Sequence, residues 1–397
     1  MSGVVLYDDA RARRFEPFAL TRPVAELRAG ALLVRERWTR ALGCESLGFV
    51  GASQLADFDE SGVPGALRTI PRGAILANAR FSPTLAAAQR EATRWVSDGR
   101  VAAVRLTRDV DVEELDEGRV ALEGLQHGEG AIAALDGVWI DEVWQLIEHL
   151  RPMLGRDIPV LGADLRTVGR DEAIIIGSHP VLAAEGAVIE PYACFDVSDG
   201  PVLVETGATV QAFTRVVGPC FIGEHSLVTT DRVSGCSIGP YTKVHGEMSA
   251  SVVLGYANKG HSGFVGHSYL GRWANLGAET VTSNLKNTYG NVTLWTPEGM
   301  RDTGMQFLGT LFGDHAKTGI NLALSTGTVV GAGANVVGRM PPKVVPPFAW
   351  GEAGSFETYR VDKFVDVVAR VMARRSVALS ERARKQLAAS HAARWSA

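Results

Sequence analysis

Hydrophobic and polar positions follow two different rhythms along the chain. Through about residue 150, short apolar runs alternate with longer amphipathic stretches. Residues 4–7 form a strand-like run that ends on Asp8-Asp9. Residues 24–42 carry Leu27, Leu32, Val34 and Trp38 at helical spacing. Residues 47–50, 74–76 and 101–106 read as strands, and the Ala-rich stretch 83–96 reads as a helix. Helices between short apolar strands predict an α/β domain with a mainly parallel, layered sheet. A further amphipathic helix is predicted over 139–154, with Trp144, Ile147 and Leu150 apolar, followed by a loop over 157–170.

From about residue 173 to 341, small or β-branched residues return about every six positions, often beside glycine, as in GPVLVETGATV, GPCFIGEHSLV and GTVVGAGANVVG. A hexad period predicts a parallel β-helix, with one flat strand per hexad and three per coil. At ~18 residues per coil the region holds roughly nine coils, stacked at ~4.8 Å. A glycine-rich sandwich would alternate with period two instead. Residues 291–304 leave the repeat, and Pro341-Pro342 and Pro346-Pro347 end it. Residues 356–395 read as helical, capped by Ser355. Their stripe of Tyr359, Phe364, Val367, Val368 and Val371 is expected to cover an open coil end or a neighbouring subunit. The plan is therefore an α/β domain (1–150), a linker (151–180), a β-helix (181–345) and a C-terminal helical extension (346–397).

Composition narrows the function classes. The 397 residues are 46% hydrophobic and 21% charged, as in an ordinary globular protein. A formal net charge of -4 gives no electrostatic case for nucleic acid or an anionic membrane. No apolar run reaches the ~18 residues of a membrane span, and the N-terminus lacks the apolar core of a signal peptide. Cys44, Cys194, Cys220 and Cys236 are scattered without metal-ligand spacing, which fits a reducing cytoplasm.

Candidate chemistry concentrates in NKGHSGFVGHSYLGRWANLGAETVTSNLKNTY, residues 258–289. Gly260, Gly266 and Gly271 mark corners, and Val265, Leu270, Leu276 and Val281 mark buried rungs. Between them stand His261, His267, Asn275, Asn284, Lys259 and Lys286, expected as one polar row along an edge. His315 and Lys317, in GDHAKTG, extend the set, with Arg232 and Lys243 as outlying cations.

The series Gly260-His261, Gly266, Asn275-Leu276-Gly277-Ala278, Thr280, Thr282 and Asn284 resembles, without a gap, the bifunctional N-acetylglucosamine-1-phosphate uridylyltransferase/glucosamine-1-phosphate acetyltransferase family. RRFEPFALTRPVAELRAG, residues 13–30, resembles the signature that follows the glycine-rich loop of sugar-nucleotide pyrophosphorylases. The resemblance implies a nucleotidyltransferase-like domain followed by a left-handed β-helix. It also implies a homotrimer, acetyl-CoA and Mg²⁺, and sugar 1-phosphate and nucleoside triphosphate substrates.

By correspondence His261 is the base, with His267 one hexad later as a second catalytic candidate, and Asn284 is the oxyanion donor. Asn275 and Ala278 are expected at the sugar or acetyl-CoA arm, and Lys259, Lys286, His315 and Lys317 at the sugar phosphate. In the first domain Arg14, Arg22 and Arg28 are expected on the nucleotide phosphates, with Asn78 and Arg80 contributing, and Asp8 or Asp9 on the metal.

The sequence also departs from the family. Phe264 stands for a sugar-binding tyrosine, and Ser249-Ala250 lie near where a lysine pair is expected. The loop DDARAR lacks glycine, Val24 stands for a lysine, and Arg80 stands where an acid would carry metal. Three readings stay open: a two-activity enzyme, an enzyme with one activity, and a non-catalytic trimeric scaffold that binds sugar nucleotides.

Overall fold

The structure is a computed structural model that describes residues 3–125 and 128–395. It forms two compact units: Met1–Val143 with Ala373–Ala393, and Trp144–Met372 with Arg394–Ala397.

The first unit is built on a six-stranded sheet, ordered Ile132–Ala134, Arg94–Ser97, Arg100–Arg105, Ile75–Asn78, Val4–Tyr7, Ser46–Val50. All four residues of Val4–Tyr7 are buried, and the strand runs parallel to both neighbours, in keeping with its unbroken apolar run. The sheet is mainly parallel but not wholly so: Arg100–Arg105 runs against the other strands and pairs antiparallel on both sides.

The cause is a two-residue hairpin at Asp98-Gly99, both with positive φ (51° and 73°). The same turn overrides the helix expected over 83–96, because Arg94–Ser97 is the first arm of that hairpin. Of the alanines before it, Ala86 and Ala87 are exposed and Ala92 is buried, so they do not form one buried helical face. The helix expected over 24–42 is likewise cut short. Gly30 (φ 65°) turns a small hairpin of Arg28–Ala29 and Leu32–Leu33, and only α1, Val34–Leu42, is helical. From α1, Trp38 Nε1 donates to the Phe81 carbonyl (3.0 Å) and Arg37 Nη1 to the Pro83 carbonyl (2.9 Å), fixing the strand Phe81–Pro83.

The second unit is a parallel β-helix. One face has ten strands, of which the first, Arg166–Thr167, is antiparallel; the other nine mark nine coils, as the hexad count predicts. Inward positions such as Phe195, Val216, Val233, Met248 and Val265 form one continuous core. Along the face that contains Asn258–Lys259, successive register partners lie 21, 18, 16, 15 and 17 residues apart. The next step, Asn275 to Lys317, spans 42 residues, because the hairpin Thr293–Thr296/Gly299–Asp302 leaves the coil.

Two domain expectations change. Residues 151–180 are not a loop-like linker: α2, Gln145–Glu148, and α3, Leu150–Leu161, belong to the second unit. Leu150, Met153, Leu154 and Ile158 are buried, which is why the helix outruns its predicted end. The extension 346–397 is not one helix. α4, Val361–Ala373, places Phe364 against Phe348 and His315 on the last coils, while α5, Glu381–Ala392, belongs to the first unit. There Gln386 Nε2 donates to the Thr21 carbonyl and Ser390 Oγ to the Leu20 carbonyl. The cap of α5 is Ser380, not Ser355.

Candidate functional site

A hexad advances the chain by one face of the prism, and a full coil returns it to the same face. This geometry separates the residues expected as one row. His261 sits at the corner after Asn258–Lys259. The face strand Val265–Gly266 then intervenes, and His267 opens the next corner (φ 47°). The side-chain partners of each histidine therefore lie about one coil away, not one hexad away.

The His261 side chain is exposed. Its loop is held from the coil above, where the Glu279 N–H donates to the Ser262 carbonyl (3.0 Å) and the Thr282 N–H to the Phe264 carbonyl (2.9 Å). Lys259 holds it from within. The Lys259 side chain occupies an inward position between Val244 and the next coil and is only 1% exposed. Its Nζ donates to the carbonyls of His245 (2.9 Å) and His261. Burial lowers this ammonium to about 8. Lys259 is therefore not a surface phosphate ligand, because its column points into the core.

At the next corner Asn284 Nδ2 meets His267 Nδ1 at 2.9 Å, and Phe307 stacks on the His267 ring at 5.3 Å. Burial, with a smaller contribution from the Arg151 charge, lowers His267 to about 4. His267 is thus neutral at physiological pH, and with Asn284 donating to Nδ1 its remaining proton is on Nε2. Beside Asn284 opens a groove of about 520 Å³, lined by Ser283, Lys286, Thr288, Ala323, Thr326 and Met340 among others. Lys286 Nζ donates to the Asn291 carbonyl at the root of the excursion. Burial and the neighbouring Lys286 charge both lower Lys343.

Four expected ligands lie elsewhere on the prism. Asn275 accepts from Asn258 Nδ2 (3.0 Å) in a column that continues through Lys317 and Asn335. Lys317 Nζ donates to the His315 carbonyl (3.1 Å), and burial lowers it to about 8. His315 is buried at the third corner, in a stack of rings with His225, Tyr241, Tyr256 and Trp273. These corner residues share a left-handed backbone, so their rings align along the axis, and His315 is taken up by packing rather than by the polar row. Ala278 lies in the corner above His261, with its carbonyl accepting from the Asn321 N–H (2.8 Å).

In the first unit, Tyr7 and Asn78 are register partners on parallel strands, so Asp9 and Arg80 leave the sheet side by side at its carboxyl ends, where α/β sheets bind ligands. Arg80 donates to Asp9 from Nε (2.8 and 3.0 Å) and Nη2 (2.7 Å), and from Nη1 to Asp141 (2.5 Å). Arg100 donates twice to Asp141 and lies over the Trp139 ring at 3.7 Å. These residues border a pocket of about 280 Å³.

The other expected nucleotide ligands lie apart from it. Arg22 is buried and paired with Glu60 (2.8 Å), Arg28 is buried with Nη1 donating to the Ala31 carbonyl, and Arg14 is exposed outside the pocket lining.

The carboxylates do not fit Mg²⁺. Asp8 is 2% exposed, faces the Val24 N–H with both oxygens (3.2 and 3.1 Å), and is raised by burial to about 7. Asp9 accepts from Arg80, from Asn78 Nδ2 (2.9 Å) and from the N–H groups of Arg11 and Ala12. Burial opposes its ionisation, but the Arg80 contacts outweigh this and hold its carboxyl below the usual range. Among the described residues no group of three or more His, Cys, Asp or Glu side chains could hold a metal. Sequence reasoning missed Arg11, Arg100, Trp139 and Asp141. The available signal was WIDE, residues 139–142, which brings an aromatic and two acids to the end of a short strand.

Residues 4–165 match the family described as "Sugar nucleotidyl transferase". A bifunctional protein GlmU of Jannaschia sp. (strain CCS1) is 36% identical over 102 residues, 25% of this chain and 22% of that protein. A bifunctional protein GlmU of Methanocaldococcus jannaschii is 26% identical over 208 residues, 50% of this chain and 43% of that protein. The chain thus spans less than half the length of these curated relatives. Among solved structures, a Francisella novicida UDP-N-acetylglucosamine acyltransferase matches 54% of this chain and 88% of its own, with 10% identity and a TM-score of 0.29. By these matches the chain is similar to bifunctional GlmU proteins, and its residues 4–165 are similar to sugar nucleotidyl transferases.

Proposed function

We propose that the β-helix unit moves an acetyl group from acetyl-CoA to the amine of a phosphorylated amino sugar, with glucosamine 1-phosphate as the favoured acceptor. The first unit handles the sugar nucleotide, with formation of a UDP-N-acetylglucosamine-type product from a sugar 1-phosphate and a nucleoside triphosphate as its activity. The product serves cell-envelope synthesis in the cytoplasm, a compartment that suits four free thiols. Among the described residues no helix is long and apolar enough to cross a membrane.

The observation that carries the acyl-transfer reading is the exposed His261 imidazole, at a hexad corner inside the ungapped series. His261 takes the amine proton as nitrogen attacks the thioester carbon. The carbonyl electron pair moves onto oxygen, where an amide N–H of Asn284 stabilises it. Collapse breaks the C–S bond, and the leaving thiolate takes the proton from the imidazolium. His267, already neutral and accepting from Asn284, orients that amide rather than acting as a base. The groove beside Asn284, with Lys286 and the hydroxyls of Ser283 and Thr288, suits a phosphorylated sugar. His261 and Asn284 occupy different corners of one chain, so a site using both is completed by a neighbouring copy, in keeping with a homotrimer.

Thiol release from acetyl-CoA with glucosamine 1-phosphate tests the reading. His261→Ala is expected to lower kcat by ~10²–10⁴-fold. Full activity in that variant rejects the mechanism. The arginine-saturated Asp9 favours a second reading, in which the first unit binds its nucleotide without turnover. Pyrophosphate release from nucleoside triphosphate and sugar 1-phosphate separates the two.

A further inference from the structure

The first unit's pocket carries an unusual balance of charge. Its lining holds four arginines, Arg11, Arg80, Arg100 and Arg119, against two carboxylates, Asp9 and Glu123. Both carboxylates are engaged: Glu123 accepts from the Val101 N–H (3.0 Å), and Asp9 accepts from Arg80, Asn78 and two backbone N–H groups. A divalent cation on Asp9 would have to displace the Arg80 guanidinium, whose side chain is 8% exposed and also bonds Asp141. Breaking a buried ion pair in this way leaves an uncompensated charge on each partner.

The cations have capacity left for a ligand. A guanidinium has five N–H donors. Arg80 spends Nε–H and one hydrogen from each terminal nitrogen on Asp9 and Asp141, and Arg100 spends one from each terminal nitrogen on Asp141. The Arg100 guanidinium also lies over the Trp139 ring, 3.7 Å from its centroid, which restrains its position. Arg119 and its partner Asp116 are both exposed, so that pair is screened by solvent, whereas Arg11 is half-exposed and held by the less exposed Glu142.

Resting on the reading that the first unit recognises a phosphorylated sugar or nucleotide, we propose that this pocket binds the diphosphate of a nucleoside diphosphate through resident arginine charge. Arg80 and Arg100 stand where a divalent cation would otherwise be needed. Binding by this pocket is therefore independent of metal, and Asp9 competes with the ligand for Arg80 rather than helping to bind it.

Calorimetry on the full chain tests this with uridine, thymidine, guanosine and adenosine diphosphates, each in EDTA and in Mg²⁺. At least one is expected to bind with an affinity that differs by less than about twofold between the two conditions. Arg100→Gln is expected to weaken that binding about tenfold or more, through loss of charge-assisted bonds. Asp9→Asn is expected to tighten it, because Arg80 is released toward the phosphates. A metal ligand would respond in the opposite sense. These two variants avoid removing Arg80, whose loss endangers folding, and unchanged melting temperatures show that they fold.

Binding that requires Mg²⁺, or that Asp9→Asn abolishes, overturns the inference and leaves the reading of the first unit standing. Failure of all four nucleotides in both conditions overturns both.

Discussion

Buried charge is handled in opposite ways by the two units. In the first, Arg22, Arg80 and Glu26 are buried beside opposite charges: Arg22 on Glu60, Arg80 on Asp9 and Asp141, Glu26 on Arg35. In the β-helix, the buried Lys259 and the partly buried Lys317 donate to carbonyl oxygens, and both ammonium groups fall to about 8. The difference comes from the repeat. An inward position in a stacked coil is surrounded by apolar side chains and backbone, and a carboxylate there would need a partner of its own in every direction. The irregular connections of a mixed sheet can instead bring acid and base together from strand ends distant in sequence. The lesson is that the first unit pairs its buried arginines with carboxylates while the β-helix leaves Lys259 to titrate, with Asp8 as the group of the first unit that titrates as well.

The largest way to break this comparison is Arg80→Met. Removing the central cation of this network leaves Asp9 with only neutral donors, and the first unit is expected to lose ~3–5 kcal/mol in urea unfolding. Lys259→Met is the counterpart in the β-helix. It removes an unpaired buried charge of similar volume but leaves two carbonyls without a donor at ~1–3 kcal/mol, so the net change at neutral pH is expected to be small. A loss as large as that of Arg80→Met would show that the two units do not differ.

The pH dependence sharpens the same contrast. Burial holds Lys259 near 8 in the folded chain, below the ordinary lysine value of 10.5. Between these values the unfolded chain holds the proton and the folded chain does not, so stability rises with pH across that window. Below about 8 both states are protonated and the slope vanishes. The extra slope is expected to disappear in Lys259→Met; its persistence would exclude Lys259 as the source.

The opposite sign is expected at Asp8, raised to about 7 from 3.8. Here the folded state keeps its proton longer, so stability falls as pH rises from 3.8 to about 7. Asp8→Asn is expected to flatten that fall while leaving the unit folded, as followed by thermal melts between pH 4 and 8.

Much of the architecture is legible in the chain because its causes are local. The hexad rhythm predicts the parallel β-helix and its nine coils, and unbroken apolar runs locate the strands at Val4–Tyr7 and Ile75–Asn78. The failures are local conflicts that one residue decides. Asp98-Gly99 turns a hairpin inside an expected helix, and Gly30 interrupts another. In the candidate site, the residue types of the acyl-transfer series are readable from residues 258–289, but their grouping is not.

Hydrophobic periodicity by itself determines that the second half winds into a prism, since side-chain alternation and glycine corners act over a few residues. Which residues face one another is decided only by closure of the coil. A step of six residues turns the chain onto the next face, so His267 meets Asn284 while His261 stands at another corner. In the first half, strand register sets Asp9 beside Arg80, and the strand Gly137–Trp139 brings Asp141 to both. Those contacts span 61 and 71 residues of sequence, and a local pattern carries no information over that distance.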